Sequence, residues 1–503
     1  MDPFRGINPF GPLSIHRAEW RQNDTSYLCA QSQSESDLGR GPIIRMRWVG
    51  FKQGVLPFFG ALMAGTVFAL PLEPGKLARE LKMNSRTIRV KLSGFGRVIT
   101  IKGDHLALSL AKRPDLGNVQ SEEWIIDCKR SLIFDPSTQK SRQIPRSGIL
   151  IESLSGVLSL NQRNFRDQLV VYPKELLSPY DESVRSNSEC LVVNHIDLEM
   201  YLESVVNGEF NSQWAESAVE AQIIAARTYA LFQMGEMRKD RGRVFDVEST
   251  QKDQVYLGLD RVDSKAAELV AKTKGLVLVP RFGKSSPIKA FYHASCGGRT
   301  ITPEKVWGAS FKGFGKGVRC PYCYGSPSYS WDYRLSFHEL EKKIWNGIQK
   351  DPANGKNWPK SYRDDPNRWY LRGIVARGEA PKSVRMPLGA LIPEARAGRA
   401  DERDQGHIKE LQFEFVDRDD PENALKVKMD AYAARNWIDP SRLKSTWYEL
   451  VTRGRAVFFR GKGSGHGVGM CQWGAKNMGE KGFTREQILL HYYPGVKIAR
   501  ISP

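Results

Sequence analysis

The sequence of 503 residues lacks the local patterns that identify several large classes of enzymes and binding proteins. It has no zinc-finger spacing, no RNP-like string and no basic heptad repeat, so nucleic-acid binding finds no support. A nucleophilic Ser elbow, a His-Glu-x-x-His motif and a phosphate-binding loop are absent as well. Acyl transfer and nucleotide chemistry therefore have no support either.

Acidic residues are few relative to basic ones, with 56 Asp and Glu against 75 Lys and Arg. The formal net charge of +19 and a pI near 9.5 predict anionic partners. With nucleic acid set aside, the remaining candidates are bacterial wall polymers, which carry carboxylates and often phosphates.

Long apolar runs are also scarce, and the one at Gly54–Leu70 has the features of an export signal. Basic residues precede it at Arg45, Arg47 and Lys52, and residues 67–69 have the small-x-Ala shape of a cleavage site. These features predict a secretory signal peptide over residues 46–69, with a buried core helix as the alternative. We therefore expect an exported protein of the periplasm or cell envelope.

Two further expectations follow from this signal. Pro57 and several glycines weaken a spanning helix, so we expect no stable membrane span after signal cleavage. Residues 1–45 are polar and unpatterned. We interpret them as a mis-called extension or a disordered segment, with Met46 as the true start.

Turn signals and apolar alternation indicate the organisation of the remaining chain. Residues 70–147 read as a small β-rich accessory unit and residues 148–503 as the main domain. Charged, loop-like stretches near 345–370 and 380–405 are predicted to be surface insertions. Helices packed on a mostly antiparallel β-sheet give a predicted α+β fold.

A single acidic residue, Glu209, stands between Gly208 and the aromatic residues Phe210 and Trp214. A carboxyl group desolvated by such neighbours has a raised pKa, which suits a general acid. The glycine permits a sharp turn and leaves room for a ligand. The alternative is that Glu209 only precedes the alanine-rich helix predicted over about 215–234.

Several strings resemble, in order, the stage II sporulation protein D family of peptidoglycan lytic transglycosylases and amidase enhancers. The strings are LVVNHIDLEMYLESVVNGEF, AESAVEAQIIAARTYAL, DVESTQKDQVYLGLD, AFYHASCGGRT, STWYEL, GKGSGHGVGMCQWGAKNMGEKGF and ILLHYYPGVKI. The resemblance implies that Glu209 is the catalytic acid/base of glycan cleavage. It further implies a preference for strands already stripped of stem peptides.

The same strings supply the predicted substrate-binding residues. They are Gln222, Arg227, Tyr229, Gln254, His293, Ser295, Gly297, His466, Gly469 and Gln472. Arg227 has two interpretations, a substrate-binding guanidinium or a structural ion pair. Tyr229 is typical of a core tyrosine as well as of a substrate contact.

Seven cysteines are present, and Cys29 lies upstream of the predicted signal. Disulfides are the preferred expectation for four of the other six, because export favours oxidation. Those candidates are Cys296, Cys320, Cys323 and Cys471. The alternative is a zinc site formed by His293, Cys296, Cys320 and Cys323. The zinc site that some family members have in the segment matching 246–254 does not transfer, since this chain has no Cys or His there. No cofactor is predicted otherwise.

The leading hypothesis is an exported lytic transglycosylase that cuts peptidoglycan with one Glu and leaves 1,6-anhydro-muramoyl ends. The first alternative is a non-catalytic wall-binding enhancer of an N-acetylmuramoyl-L-alanine amidase. The second is a structural wall-binding protein. Predicted partners are peptidoglycan glycan strands and a cell-wall amidase, with no nucleic acid.

Overall fold

A computed structural model describes residues 86–110, 119–173, 191–240, 242–283, 286–378 and 407–501. The chain divides into two units between Ala69 and Leu70, and all described residues belong to the second. The predicted extension, signal peptide and insertion at 380–405 lie outside the described residues. Within them, helices pack on sheets whose strand pairs are mostly antiparallel, which confirms the α+β prediction.

The main structural element is a nine-stranded sheet with the order β5-β4-β3-β2-β6-β7-β8-β1-β9. Only β1 and β9 pair in parallel within it. The strands are β1 (Thr87–Leu92), β2 (Val98–Leu110), β3 (Val119–Asp127), β4 (Leu132–Asp135), β5 (Lys140–Gln143), β6 (Ile149–Leu160), β7 (Arg163–Tyr172), β8 (Leu191–Asp197) and β9 (Val247–Glu248).

The predicted boundary at 147/148 does not separate two units. Strand β2 of the expected accessory region pairs with β6 of the expected main domain, and β1 lies between β8 and β9. Ile88, Trp124 and Tyr201 share one hydrophobic core. Pairing between strands distant in sequence leaves no local pattern, so the sequence suggested a boundary where the sheet is continuous.

Three helices follow β8 and cover this core: α1 (Leu198–Glu209), α2 (Glu216–Met237) and α3 (Ser264–Lys272). Asp197 caps α1, since its side chain accepts from the N–H groups of Glu199 and Met200. Asp263 caps α3 in the same way. Alanines let α2 bury nearly its whole circumference. No helix within the described ranges is long and apolar enough to cross a bilayer.

After α3 the chain forms three short elements, and the elements that follow them form a second hydrophobic core. The short elements are β10 (Leu276–Pro280), β11 (Tyr292–His293) and α4 (Pro303–Trp307). The second core contains β12 (Ser330–Ser336), α5 (Phe337–Lys350), α6 (Pro352–Gly355), α7 (Lys360–Asp364), β13 (Trp369–Gly378), β14 (Ile408–Asp417), β15 (Ala424–Asp430), α8 (Ala431–Ile438), β16 (Tyr448–Arg453) and β17 (Ala456–Lys462).

The stretch near 345–370 was predicted to be a surface insertion with loop character, and that prediction is wrong. Trp358 and Tyr362 are buried at 3% and 2% exposure and pack on Phe413 and Phe415 of β14. Charged residues around these aromatics face solvent and mask the apolar signal in the sequence.

The last elements return to the first core. They are β18 (Met470–Cys471), α9 (Gln472–Glu480), α10 (Arg485–Tyr492) and β19 (Val496–Arg500). Strand β18 pairs in parallel with β11, and β19 pairs antiparallel with β10. These pairings bring residues 290–300 and 464–473 beside the first helices.

Candidate active site around Glu209

Glu209 ends α1 and is half-buried where three chain segments meet. Its Oε1 accepts a hydrogen bond from the Val255 N–H at 2.5 Å. Its backbone carbonyl accepts one from Gln472 Nε2 at 2.9 Å. Burial raises the pKa of the Glu209 carboxyl, and the hydrogen bonds from Val255 and Gln472 oppose this shift only in part.

Gly208 permits this arrangement through close packing against Val255. A Cβ at position 208 would lie 2.3 Å from the Val255 carbonyl oxygen. The space that we expected a ligand to use is therefore occupied by the 255 backbone. The same approach holds the Val255 N–H against the Glu209 carboxylate.

Gln254, the neighbour of Val255, is fully buried, and its side-chain amide makes three hydrogen bonds to other protein groups. It accepts from the Tyr201 hydroxyl at 3.0 Å and donates to the Tyr292 hydroxyl at 2.9 Å. A third bond goes to the carbonyl of Ala226. These contacts indicate a residue that fixes the 253–256 segment, whereas the sequence predicted a sugar ligand.

One face of α2 is directed toward the 253–256 segment. Tyr229 donates to Asp253 at 2.7 Å, and Gln233 donates to the same carboxylate at 2.9 Å. Gln222 lies two turns before Tyr229 on this face. Its side-chain amide is buried, and neither the oxygen nor the nitrogen finds a hydrogen-bond partner among the described residues.

Arg227 is fully buried and makes an ion pair with Glu199, with Nη2 2.7 Å from the carboxylate. It also donates to the carbonyls of Leu276 and Val270. These contacts favour the structural ion pair of its two interpretations.

His293 in β11, Ser295 just after it and His466 in the loop before β18 lie close together. The rings of His293 and His466 are 5.6 Å apart, and Trp307 lies 5.1 Å from His466. Burial lowers the pKa of His293 to about 4 and that of His466 to about 3, so both are neutral at pH 7. His293 Nδ1 donates to the Val468 carbonyl.

Two polar atoms of this cluster have no hydrogen-bond partner among the described residues. They are the Nε2 of His293 and the Oγ of Ser295, and both residues are almost completely buried. Since His293 Nδ1 carries the proton, Nε2 is a hydrogen-bond acceptor.

The predicted ligands Gly297 and Gly469 instead serve contacts between chain segments. A Cβ at 297 would lie 2.7 Å from the Lys462 side chain, and one at 469 would lie 2.0 Å from the Phe291 carbonyl. Both glycines have positive φ. They shape the loops that hold His293 and His466.

An aromatic cluster lies beside Glu209 and contains Trp473 in addition to the two aromatic residues that the sequence indicated. Phe210 packs on Trp214 at 4.5 Å between ring centroids, and Trp214 packs on Trp473 at 5.5 Å. Lys476 lies over both indoles. Trp473 directly follows Gln472 in the QWG string, and this adjacency was the available signal.

The four cysteines expected to form disulfides are free thiols, and the disulfide prediction is therefore wrong. Cys296, Cys320, Cys323 and Cys471 are all buried, and their sulfurs lie within 4.8 Å of one another. The Sγ atoms of Cys296 and Cys323 are 3.5 Å apart, well beyond the 2.05 Å of a disulfide. Cys471, and not His293, completes the group.

The segment around Glu209 is similar to a known protein family. Residues 186–279, which contain Glu209, match the family model described as stage II sporulation protein. These residues therefore form a stage II sporulation protein domain, in agreement with the resemblance of the sequence strings.

Relatives with 26% identity support this assignment. One is an uncharacterized protein of Brachyspira hyodysenteriae, matched over 82% of this chain and 93% of its own length. The stage II sporulation protein D of Bacillus amyloliquefaciens matches over 61% of this chain and 75% of its own length. The amidase enhancer of Bacillus subtilis matches over 59% of this chain and 40% of its own length.

Proposed function

We propose that this protein is an exported peptidoglycan lytic transglycosylase with Glu209 as its single acid/base. The observation that supports this proposal is a half-buried carboxyl with a raised pKa, held by the Val255 N–H and bordered by aromatic rings. The stage II sporulation protein domain and the amidase enhancer among the similar proteins support a role at the cell wall.

Five other acidic residues near Glu209 in sequence have protein partners of their own. Four form ion pairs: Glu203 with Arg166, Glu216 with Lys272, Glu220 with Lys272 and Arg485, and Asp246 with Arg89 and Arg238. The fifth, Asp253, accepts from Tyr229, Gln233 and the Glu248 N–H. Hydrolysis by the usual route needs a second carboxylate, so these contacts favour a mechanism with one acid.

In the proposed reaction, neutral Glu209 protonates the oxygen between two sugars, and the glycosidic bond breaks. The carboxylate formed then accepts the proton of the muramoyl C6 hydroxyl as that oxygen closes on C1. The raised pKa favours the protonated form that the first step needs. The Val255 N–H stabilises the carboxylate that exists between the two steps.

Three groups that the sequence predicted to bind substrate are buried and have no hydrogen-bond partner among the described residues, and the proposal keeps them as candidate sugar contacts. They are the amide of Gln222, the Nε2 of His293 and the Oγ of Ser295. Trp214 and Trp473 provide half-buried ring faces on which a sugar can stack. The net charge of +19 adds a general attraction to an anionic polymer.

The test is digestion of purified sacculi, with and without prior amidase treatment, followed by mass spectrometry of the soluble sugars. The wild-type protein is expected to release 1,6-anhydro-muramoyl products, with more released from amidase-treated material. Glu209→Gln should lower this release by about 10²–10⁴-fold, because general acid–base catalysis is lost. Glu203→Gln, in the same helix, is the matched control and should retain activity.

The amidase enhancer relative gives the second candidate function a specific basis. An enhancer would bind sacculi without releasing sugars and would accelerate a co-incubated amidase. If Glu209→Gln accelerated the amidase as well as the wild type did, and neither protein released anhydro-sugars, the enhancer would replace the enzyme.

A further inference from the structure

Four buried cysteines converge from three separate parts of the chain. Cys296 follows β11, Cys320 and Cys323 form a C-x₂-C pair in the next loop, and Cys471 lies at the junction of β18 and α9. Each of the four residues is at most 2% exposed. Four buried thiols from distant segments therefore lie close enough together to bind one metal ion.

We infer that Cys296, Cys320, Cys323 and Cys471 form a tetrahedral structural zinc site. Zinc–sulfur bonds of about 2.3 Å place the sulfurs of such a site about 3.8 Å apart. The observed separations, 3.5 Å for Cys296 and Cys323 and at most 4.8 Å for every pair, match this spacing. The C-x₂-C spacing of two ligands is also typical of structural zinc sites.

The surroundings of the sulfurs suit thiolates. The Sγ of Cys471 accepts from the N–H groups of Cys296 and Gly474, each at 3.3 Å. It also caps the positive N-terminal end of α9. The Tyr492 hydroxyl lies 3.2 Å from Cys320 Sγ. Donors of this kind orient metal ligands and offset the negative charge of four thiolates.

Disulfides among these cysteines and a zinc site that includes His293 fit the geometry less well. Cys128 of this chain is disulfide-bonded, whereas the four clustered cysteines are not, although they are close enough to react. A bound metal explains this difference because it holds the thiolates apart. His293, the expected fourth ligand, directs its Nδ1 to the Val468 carbonyl, and Cys471 takes that place.

The site would cross-link the loops that carry the candidate active-site residues. Ser295 precedes Cys296, and Gln472, which contacts the Glu209 carbonyl, follows Cys471. The inferred role is structural, since the Cys₄ set is complete without a water or substrate ligand. It is independent of the proposed glycan cleavage.

The first experiment measures metal and thiols in the purified full-length protein. We expect one equivalent of zinc per chain by elemental analysis. A mercurial reagent that titrates the thiols should release this zinc to a chromophoric chelator. Exchange with Co²⁺ should produce the thiolate charge-transfer and tetrahedral d–d bands. Because these measurements use the wild type, they do not depend on whether a cysteine variant folds.

The second experiment assigns the ligands. Cys471→Ser should lose the equivalent of zinc, and His293→Gln should keep it. The reverse result would overturn the ligand set. Protein without metal whose four thiols are oxidised to two disulfides would overturn the site, and one equivalent of iron would overturn the choice of zinc. Sugar release is not a readout in either experiment, so failure of the catalytic proposal would leave these results unchanged.

Discussion

Gly208→Ala is the substitution that most directly tests how the Glu209 carboxyl is held. The new methyl group would lie 2.3 Å from the Val255 carbonyl oxygen, whereas ordinary contact begins at 3.4 Å. The 255 segment must therefore retreat by about 1 Å. A similar retreat would stretch the 2.5 Å bond between the Val255 N–H and Glu209 beyond good hydrogen-bond length.

Two magnitudes follow. Overpacking of this kind costs about 1–3 kcal/mol of unfolding free energy. If Glu209 is the acid/base, a displacement of about 1 Å lowers the rate of sugar release by about 10²-fold. Both effects arise from contact with Val255, because the backbone of Gly208 does not have positive φ.

Gly235→Ala is the matched control. Gly235 also lies in a helix, but it is exposed, and an added Cβ would meet no atom within 4 Å. Its replacement should stabilise the protein by up to about 1 kcal/mol through helix propensity. The assays are denaturant unfolding and mass spectrometry of released sugars. A Gly208→Ala protein as stable as Gly235→Ala would refute the proposed contact.

Two other predictions concern buried charges. Arg227→Met should lower the unfolding free energy by about 3 kcal/mol, because Glu199 would be left unpaired and largely buried; denaturant unfolding measures this, and unchanged stability would contradict the structural role. For Glu209, the folded pKa lies above the unfolded value of about 4.3. Below about pH 4 the carboxyl is protonated in both the folded and the unfolded state. As the pH rises through the folded pKa, the wild-type protein therefore loses unfolding free energy. Glu209→Gln should therefore gain unfolding free energy relative to the wild type as the pH rises from the unfolded to the folded pKa. A difference in unfolding free energy that did not change with pH would exclude the raised pKa.

Local sequence determined the elements that need only neighbouring residues. The strand at Thr87–Leu92 and the caps at Asp197 and Asp263 are of this kind. These features depend on apolar alternation and on side chains that bond to backbone two or three residues away. The prediction of Glu209 as the acid/base also came from its sequence neighbours and the family strings.

Tertiary structure alone decided which distant segments meet. It placed β1 and β2 in the main sheet, buried Trp358, and filled the space beside Gly208 with Val255. It also showed that Cys471, and not His293, lies with the other three cysteines. Cys471 is far from them in sequence, so no local spacing indicates this contact. Periodicity reports which face of an element is buried, but the identity of the residues across that face depends on strand pairing and loop closure over the whole chain.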